Sequence, residues 1–131
     1  MKFLLDTSIF LWALSNPARL SHQAHAILKE QREALWLSAA SVWEIAVKYQ
    51  LGKLLLPAPP ALCIQEWITS GGLRILDITQ HHALGVGSLP QHHHDPFDRM
   101  LIAQATLEGM TVLTSNRVFA KYAVPTIWCE A

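Results

Sequence analysis

Net charge is the first thing this sequence lacks. Ten lysines and arginines stand against ten aspartates and glutamates, and charged residues fill only 15% of its 131 positions. A balanced chain has no broad basic footprint, which excludes the tight, sequence-independent grip on nucleic acid that counterion release drives. A short nucleic-acid contact remains open to it. Cysteine is scarce too. Cys63 and Cys129 lie in apolar surroundings and read as buried thiols, so no disulfide framework is expected and a reducing cytoplasm is the default. No apolar run approaches membrane-spanning length and no signal-peptide pattern precedes the first strand. The expectation is a soluble, cytoplasmic protein with no membrane partner. Internal repeats, low-complexity tracts and domain boundaries are absent as well. What is present is a 51% hydrophobic content, enough for a real core in one domain over residues 1–131.

Short, continuously apolar runs alternate with helical patterns. Lys2 to Asp6 reads as a strand that ends abruptly in an acid, and Thr7 to Leu14 as a helix with Phe10, Leu11 and Leu14 inward. Ser21 caps a helix running to about Arg32. Leu35 to Ser38 is a second strand, followed by a largely apolar helix from Ala39 to Gln50 that stops at Gly52. A proline-rich bridge, Leu54 to Pro60, leads to a helix over Ala61 to Thr69 closed by Gly71 and Gly72. Leu73 to Ile78 predicts a third strand and Thr79 starts another helix. Asp95-Pro96 opens a buried helix: an acceptor at the cap, then the residue whose missing N–H costs nothing at the first position. Thr111 to Thr114, a one-turn helix around Val118 to Tyr122, and Thr126 to Trp128 finish the chain. Apolar strands separated by helices imply a parallel sheet covered on both faces, an α/β fold.

In such a sheet ligands bind beyond the carboxyl ends of the strands. Asp6 ends the first strand, Ser115 and Asn116 end the fourth, Glu44 follows the second, and Asp95 and Asp98 head the helix that feeds the fourth. Each has a bland alternative. Asp6 and Asp95 could be helix caps, Ser41 and Glu44 fit a capping box that competes with a start at Ser38, and Asp98 could favour the helix dipole. Caps need not gather at one edge of a sheet, however. Carboxylates brought together repel and raise each other's pKa values unless a cation neutralises them. An all-oxygen set without cysteine suits Mg²⁺ or Mn²⁺ rather than Zn²⁺, and such a site can activate water for attack on a phosphodiester.

The stretches LLDTSIFLWAL (Leu4–Leu14), SAASVWEIAVKYQLGKLLLP (Ser38–Pro57), HDPFDRMLIAQA (His94–Ala105) and the terminal VLTSN…F…Y pattern together resemble PIN-domain nucleases, specifically VapC-type toxins of bacterial toxin–antitoxin pairs. The likeness covers nearly the whole chain in order. It implies a three-layer PIN domain with a five-stranded parallel sheet of order 3-2-1-4-5, an acidic pocket for Mg²⁺ or Mn²⁺, and endonuclease action on single-stranded or structured RNA. It also implies a homodimer inhibited by a small cognate antitoxin. By motif Asp6, Glu44 and Asp98 carry over as the three acids, with Asp6 and Asp98 as metal ligands and Asp95 as an extra acid. The fourth acid of the family pattern, normally an aspartate, is here Asn116. An amide brings an oxygen but no charge. Two rival readings follow: a non-catalytic PIN domain that binds RNA or protein, and an RNA-processing nuclease with no antitoxin.

Other residues carry paired expectations. His92, His93 and His94 sit on one loop with no further ligand pattern, so they rim the pocket, approach RNA or are solvated; they do not form a zinc site. Arg99 and Lys48 either neutralise the acids or contact phosphate. Trp12 and Trp43 lie in apolar helical runs and read as core or dimer contacts. Thr7 and Ser115 either orient water at the metal or cap helices.

Overall fold

A computed structural model describes all residues from Met1 to Ala131. Strands β1 (Phe3–Leu5), β2 (Leu35–Ser38), β3 (Arg74–Leu76), β4 (Thr111–Thr114) and β5 (Thr126–Trp128) form one parallel sheet of order β3-β2-β1-β4-β5. Helices α1 (Thr7–Ser15), α2 (His22–Glu30), α3 (Ala39–Gln50), α4 (Pro60–Gly71), α5 (Gln80–Val86) and α6 (Pro96–Glu108) complete it. This is the sheet order that the family resemblance implies. No helix is long and apolar enough to cross a membrane.

The central strand explains the layering. Leu5 is matched across the ladder with Leu37 on one side and Leu113 on the other. Successive side chains of a strand point to opposite faces, and both faces here are apolar. Phe3 and Leu5 join a core with Ile9, Phe10, Ala24, Ile27, Leu35, Leu37, Ile45 and Ile64, drawn from β1, β2 and α1 to α4. Leu4 joins the second core with Leu101, Ile102, Ala105, Met110, Val112 and Phe119, under α6. With no polar face to alternate, the runs are continuously hydrophobic, the pattern of a strand covered on both sides.

Helix boundaries follow local chemistry. Ser21 Oγ accepts from the Ala24 N–H at the start of α2, and Asp95 Oδ1 accepts from the Asp98 N–H at the start of α6. Ser38, not Ser41, caps α3: its Oγ accepts from Ala40 N–H, which leaves Ser41 and Glu44 inside the helix and removes the capping-box reading. Gly72 and Gly109 close α4 and α6 in the left-handed region, where a β-carbon is disfavoured.

Two expectations need correction. β3 is shorter than Leu73 to Ile78, and α2 ends at Glu30 rather than near Arg32. Trp43 is 61% exposed, with Ala46, Val47 and Tyr49 also on the open side of α3, so the apolar content of that helix is not all core. Only Ser41, Glu44 and Ile45, with Ala40, turn fully inward.

Leu5 is wholly buried between β2 and β4 and immediately precedes Asp6. Leu5→Ala is expected to cost about 2–5 kcal/mol, the transfer energy plus a cavity the sheet cannot collapse to fill. Urea unfolding measures this; a loss below about 1 kcal/mol contradicts the packing described.

Candidate active site

Strands and helices deliver acids to one edge of the sheet. The Asp6 N–H continues the ladder by donating to the Leu113 carbonyl, so its side chain leaves the sheet at the carboxyl end of β1. A helix crossing back between parallel strands begins at that same edge, which places the N-termini of α3 and α6 beside it. Asp6, Glu44, Asp95, Asp98 and Asn116, all expected from the sequence, line one pocket of about 330 Å³ with Thr7, Ser8, Lys48 and Ser115; Leu11 is its one apolar wall.

Asp6 is no helix cap: no N–H of α1 bonds to its side chain. Instead Oδ2 accepts from Thr114 Oγ1 at 2.8 Å and from Ser8 Oγ at 3.3 Å. Burial, reinforced by the charge of Asp98, pushes its pKa up to about 7 against the pull of Thr114. Burial raises Asp98 as well, while a hydrogen bond from His93 pulls it back. Glu44 is buried and accepts from Lys48 Nζ at 2.7 Å through Oε2. That bond lifts Lys48 above its usual value and keeps it cationic. The other oxygen, Glu44 Oε1, is the one buried side-chain polar atom with no hydrogen-bond partner.

The remaining candidates separate. Lys48 takes the ion-pair role. Arg99 takes neither expected role. It is buried, touches no acid, and donates to the carbonyls of Val86, Leu89, Pro90 and His93 and to the Tyr122 hydroxyl. It gathers the segment before α6 and fixes the loop that carries the histidines. Of those, His93 Nε2 donates to Asp98 Oδ2 at 2.8 Å, His92 packs edge-on to Tyr122, and His94 is exposed. Thr7 Oγ1 donates to Ser41 Oγ and ties α1 to α3, while Ser115 Oγ lies 3.4 Å from Ser8 Oγ. Asn116 Oδ1 accepts from the Val118 N–H, capping a short 3₁₀ turn. Trp12 is half-buried under the Arg19 guanidinium, and Trp43 stacks edge-on with Phe97. The roles of Thr114, His93 and Gln104 were not foreseen. Gln104 is buried, accepts from Ser38 and donates to the Asp77 carbonyl, locking α6 to the start of α3. A glutamine within the apolar run Met100–Ala105 was its only sequence signal.

The donors fit a hard divalent cation in kind: four carboxylates, no sulfur, a buried oxygen without a partner and a single lysine among them. In these rotamers no three acids or histidines are gathered as one ligand set. Asp6 leans to Thr114, Glu44 to Lys48 and Asp98 to His93.

A five-stranded parallel α/β sheet carries a pocket of acids at its carboxyl edge, the class of fold that builds its site beyond the strand ends. The chain belongs to the PIN domain family, which it matches over residues 3–125. It is 38% identical to Ribonuclease VapC16 of Mycobacterium tuberculosis over 61 residues, a stretch that spans 47% of this chain and 43% of that protein, less than half of either. Against Ribonuclease VapC22 of the same organism it is 28% identical over 129 residues, covering 95% of this chain and 97% of the relative. Among solved structures it superposes on a chain of VapBC2 from Rickettsia felis, bound to a DNA fragment from their promoter, with a TM-score of 0.76 at 16% identity. That superposition covers 99% of this chain and 100% of the other.

The raised pKa of Asp6 has a consequence for stability. Between about pH 4 and pH 7 the folded protein keeps a proton on Asp6 that the unfolded chain has released, so stability falls as pH rises through that window. Asp6→Asn removes the dependence. The variant is expected to match the parent near pH 3.5 and to exceed it at pH 8 by up to a few kcal/mol, in chelator, by urea unfolding. A parent that gains on the variant between pH 5 and pH 8 would contradict the burial of an ionised acid.

Proposed function

We propose that this chain is a metal-dependent endoribonuclease of the VapC type, a single PIN domain over residues 1–131 acting in the cytoplasm as the toxin of a two-gene module. The observation that carries the reading is the convergence of Asp6, Glu44, Asp95 and Asp98 on one pocket, with Glu44 Oε1 buried and unpartnered. Two relatives bearing the name ribonuclease support the activity, and the VapBC2 assembly supports an antitoxin partner. The homodimer rests on the resemblance and on the exposed apolar side chains Trp43, Leu51 and Leu84.

Asp6 and Asp98 would hold Mg²⁺ or Mn²⁺, with Asp95 and Asn116 completing the polar shell. When bound, the cation neutralises the acids and shields the charge that develops on the phosphodiester oxygens. Glu44 orients the attacking water and takes its proton at Oε1, the oxygen that Lys48 leaves free. The water oxygen forms the new bond to phosphorus, the P–O bond to the departing ribose oxygen breaks, and that oxygen gains a proton. Lys48 holds Glu44 in place from one side, as Thr114 holds Asp6 and His93 holds Asp98.

Asp98→Asn tests the assignment. Its backbone N–H still bonds to Asp95, so the melting temperature should stay near the parent's while RNA cleavage in Mg²⁺ falls at least about 100-fold. Asp95→Ser beside it separates the cap from the charge. Cleavage by Asp98→Asn at the parent rate would reject the metal site; loss of folding would make Asp98 structural. If the parent binds RNA but cleaves none in any divalent cation, the non-catalytic reading takes its place.

Asn116→Asp tests the departure from the family pattern. Aspartate keeps an oxygen for the Val118 N–H and adds a charge to the shell. Cleavage should be equal or higher, with half-maximal rate at a lower Mg²⁺ concentration. A large loss with the fold intact would give the amide a specific role.

A further inference from the structure

Four cation–π pairs decorate the surface, and they are not equivalent. Lys2 and Arg74 lie over Trp36, where Lys2 precedes β1 and Arg74 opens β3, so that pairing sits at the amino end of the sheet. Arg19 stacks on Trp12 but spends its donors on Glu130. Arg117 lies 4.2 Å over the Trp128 ring, and its guanidinium makes no ion pair or hydrogen bond with any protein group. It directly follows Asn116, which lines the acidic pocket.

Trp128 is placed by the sheet. It ends β5 opposite Thr114, the residue that donates to Asp6. Paired residues of neighbouring strands lie about 4.8 Å apart and project to the same face. Trp128 therefore has its backbone one strand from Thr114 and two strands, roughly 10 Å, from the end of β1 that carries Asp6. It is 37% exposed and belongs to neither hydrophobic core. A large aromatic that packs in no core, beside an arginine with no acceptor in the chain, is free to engage a ligand. An indole holds the guanidinium in place and leaves its N–H edge free for a phosphate, and its uncovered surface offers a platform for a base.

We propose that Arg117 and Trp128 form a nucleotide subsite for single-stranded RNA, taking the nucleotide next to the scissile phosphate: phosphate on Arg117, base on Trp128. This rests on the ribonuclease reading of the adjoining pocket and adds to it the feature the pocket lacks. The pocket itself presents four acids and one lysine, and that lysine is committed to Glu44. Base stacking tolerates any sequence, so the subsite sets the strand's path and its single-strandedness rather than the base read.

The probe is a fluorescein-labelled single-stranded RNA decamer of mixed sequence. Its binding is followed by anisotropy in Mg²⁺ with Asp98→Asn present throughout, and its cleavage kinetics are followed in the parent background. Trp128→Ala is expected to weaken binding about tenfold and Trp128→Phe to recover most of it, since a phenyl ring still stacks. Arg117→Ala should weaken binding and reduce the slope of log K against log salt by about 0.7, one phosphate contact on a single strand. In cleavage the loss should fall on KM rather than kcat. Melting curves accompany each variant, and if Trp128→Ala fails to fold, Arg117→Ala decides by its salt slope. Binding as tight in Trp128→Ala and Arg117→Ala as in the reference, with an unchanged slope, overturns the subsite while leaving cleavage by the parent to stand. A parent that cleaves nothing, yet binds RNA through Trp128 and Arg117, sinks the nuclease reading and keeps the subsite.

Discussion

The structure turns on one awkward placement: a carboxylate at the end of the innermost strand. β1 lies between β2 and β4 with apolar layers on both faces, so whatever follows Leu5 leaves the sheet in a region with little water. Asp6 follows it and is 5% exposed, held by two hydroxyls and no cation. Asp98 and Glu44 then approach the same place, and the charge of each raises Asp6 further. Nothing about folding alone asks for this. Hydroxyls at the three positions would satisfy the same neighbours without the repulsion. The fold tolerates the strain because apolar burial elsewhere, in two cores that share the sheet, is large compared with the few kcal/mol at stake.

Helix α6 shows how the acids are held despite repelling each other. Its tip carries Asp95, whose oxygen takes the Asp98 N–H and so fixes the first turn. One residue on, Arg99 sends a guanidinium inward to carbonyls of the preceding segment. A buried cation normally demands a carboxylate; here neutral acceptors with converging dipoles serve. That choice matters for the pocket, because an arginine paired with Asp98 would have cancelled the charge a metal needs. Farther along, Gln104 joins the helix to Ser38 and the Asp77 carbonyl. The position of Asp98 relative to Asp6 is thus set by directional bonds at three places along one helix. Apolar packing alone would let the helix slide.

Much of this could be read in the sequence, and the reasons are physical. Strands buried on both faces have to be continuously apolar, so β1, β2 and β4 stood out, as did the acids and amide at their ends. Asp95-Pro96 carried its own start signal, and the Asp95 bond to Asp98 N–H is the cap that signal describes. β3 ended early because it lies at the sheet's edge with half-exposed residues, where the apolar run no longer reports pairing. Trp43 could be read only as core or dimer contact, because an apolar helical face reads the same whichever lies against it; its exposure leaves the second. Arg99 could not be read at all. Its partners are backbone carbonyls, and a carbonyl has no residue type to leave in a sequence. Ser41 and Glu44 spelled a capping box by spacing, but Ser38 sits one turn earlier with an equally good oxygen, and the strand's end decided for it.

The balance of charge, noted first as an absence, takes on meaning once the acids are located. Four of the ten carboxylates line one pocket, while only Lys48 of the ten basic side chains does. Arg99 is sequestered beneath the loop and cannot reach a ligand. With zero net charge and a locally negative mouth, the chain has no long-range field to draw a polyanion in, and screening at physiological salt would confine any field to about 8 Å. Recognition of a phosphodiester chain here has to be made at contact distance, by groups already in position when it arrives. An arginine kept in place by an indole ring loses little freedom on binding, and a free lysine on a mobile stem would lose more. The same logic makes the neutral Asn116 intelligible. It caps the turn that presents Arg117, a task its side-chain oxygen performs without a charge.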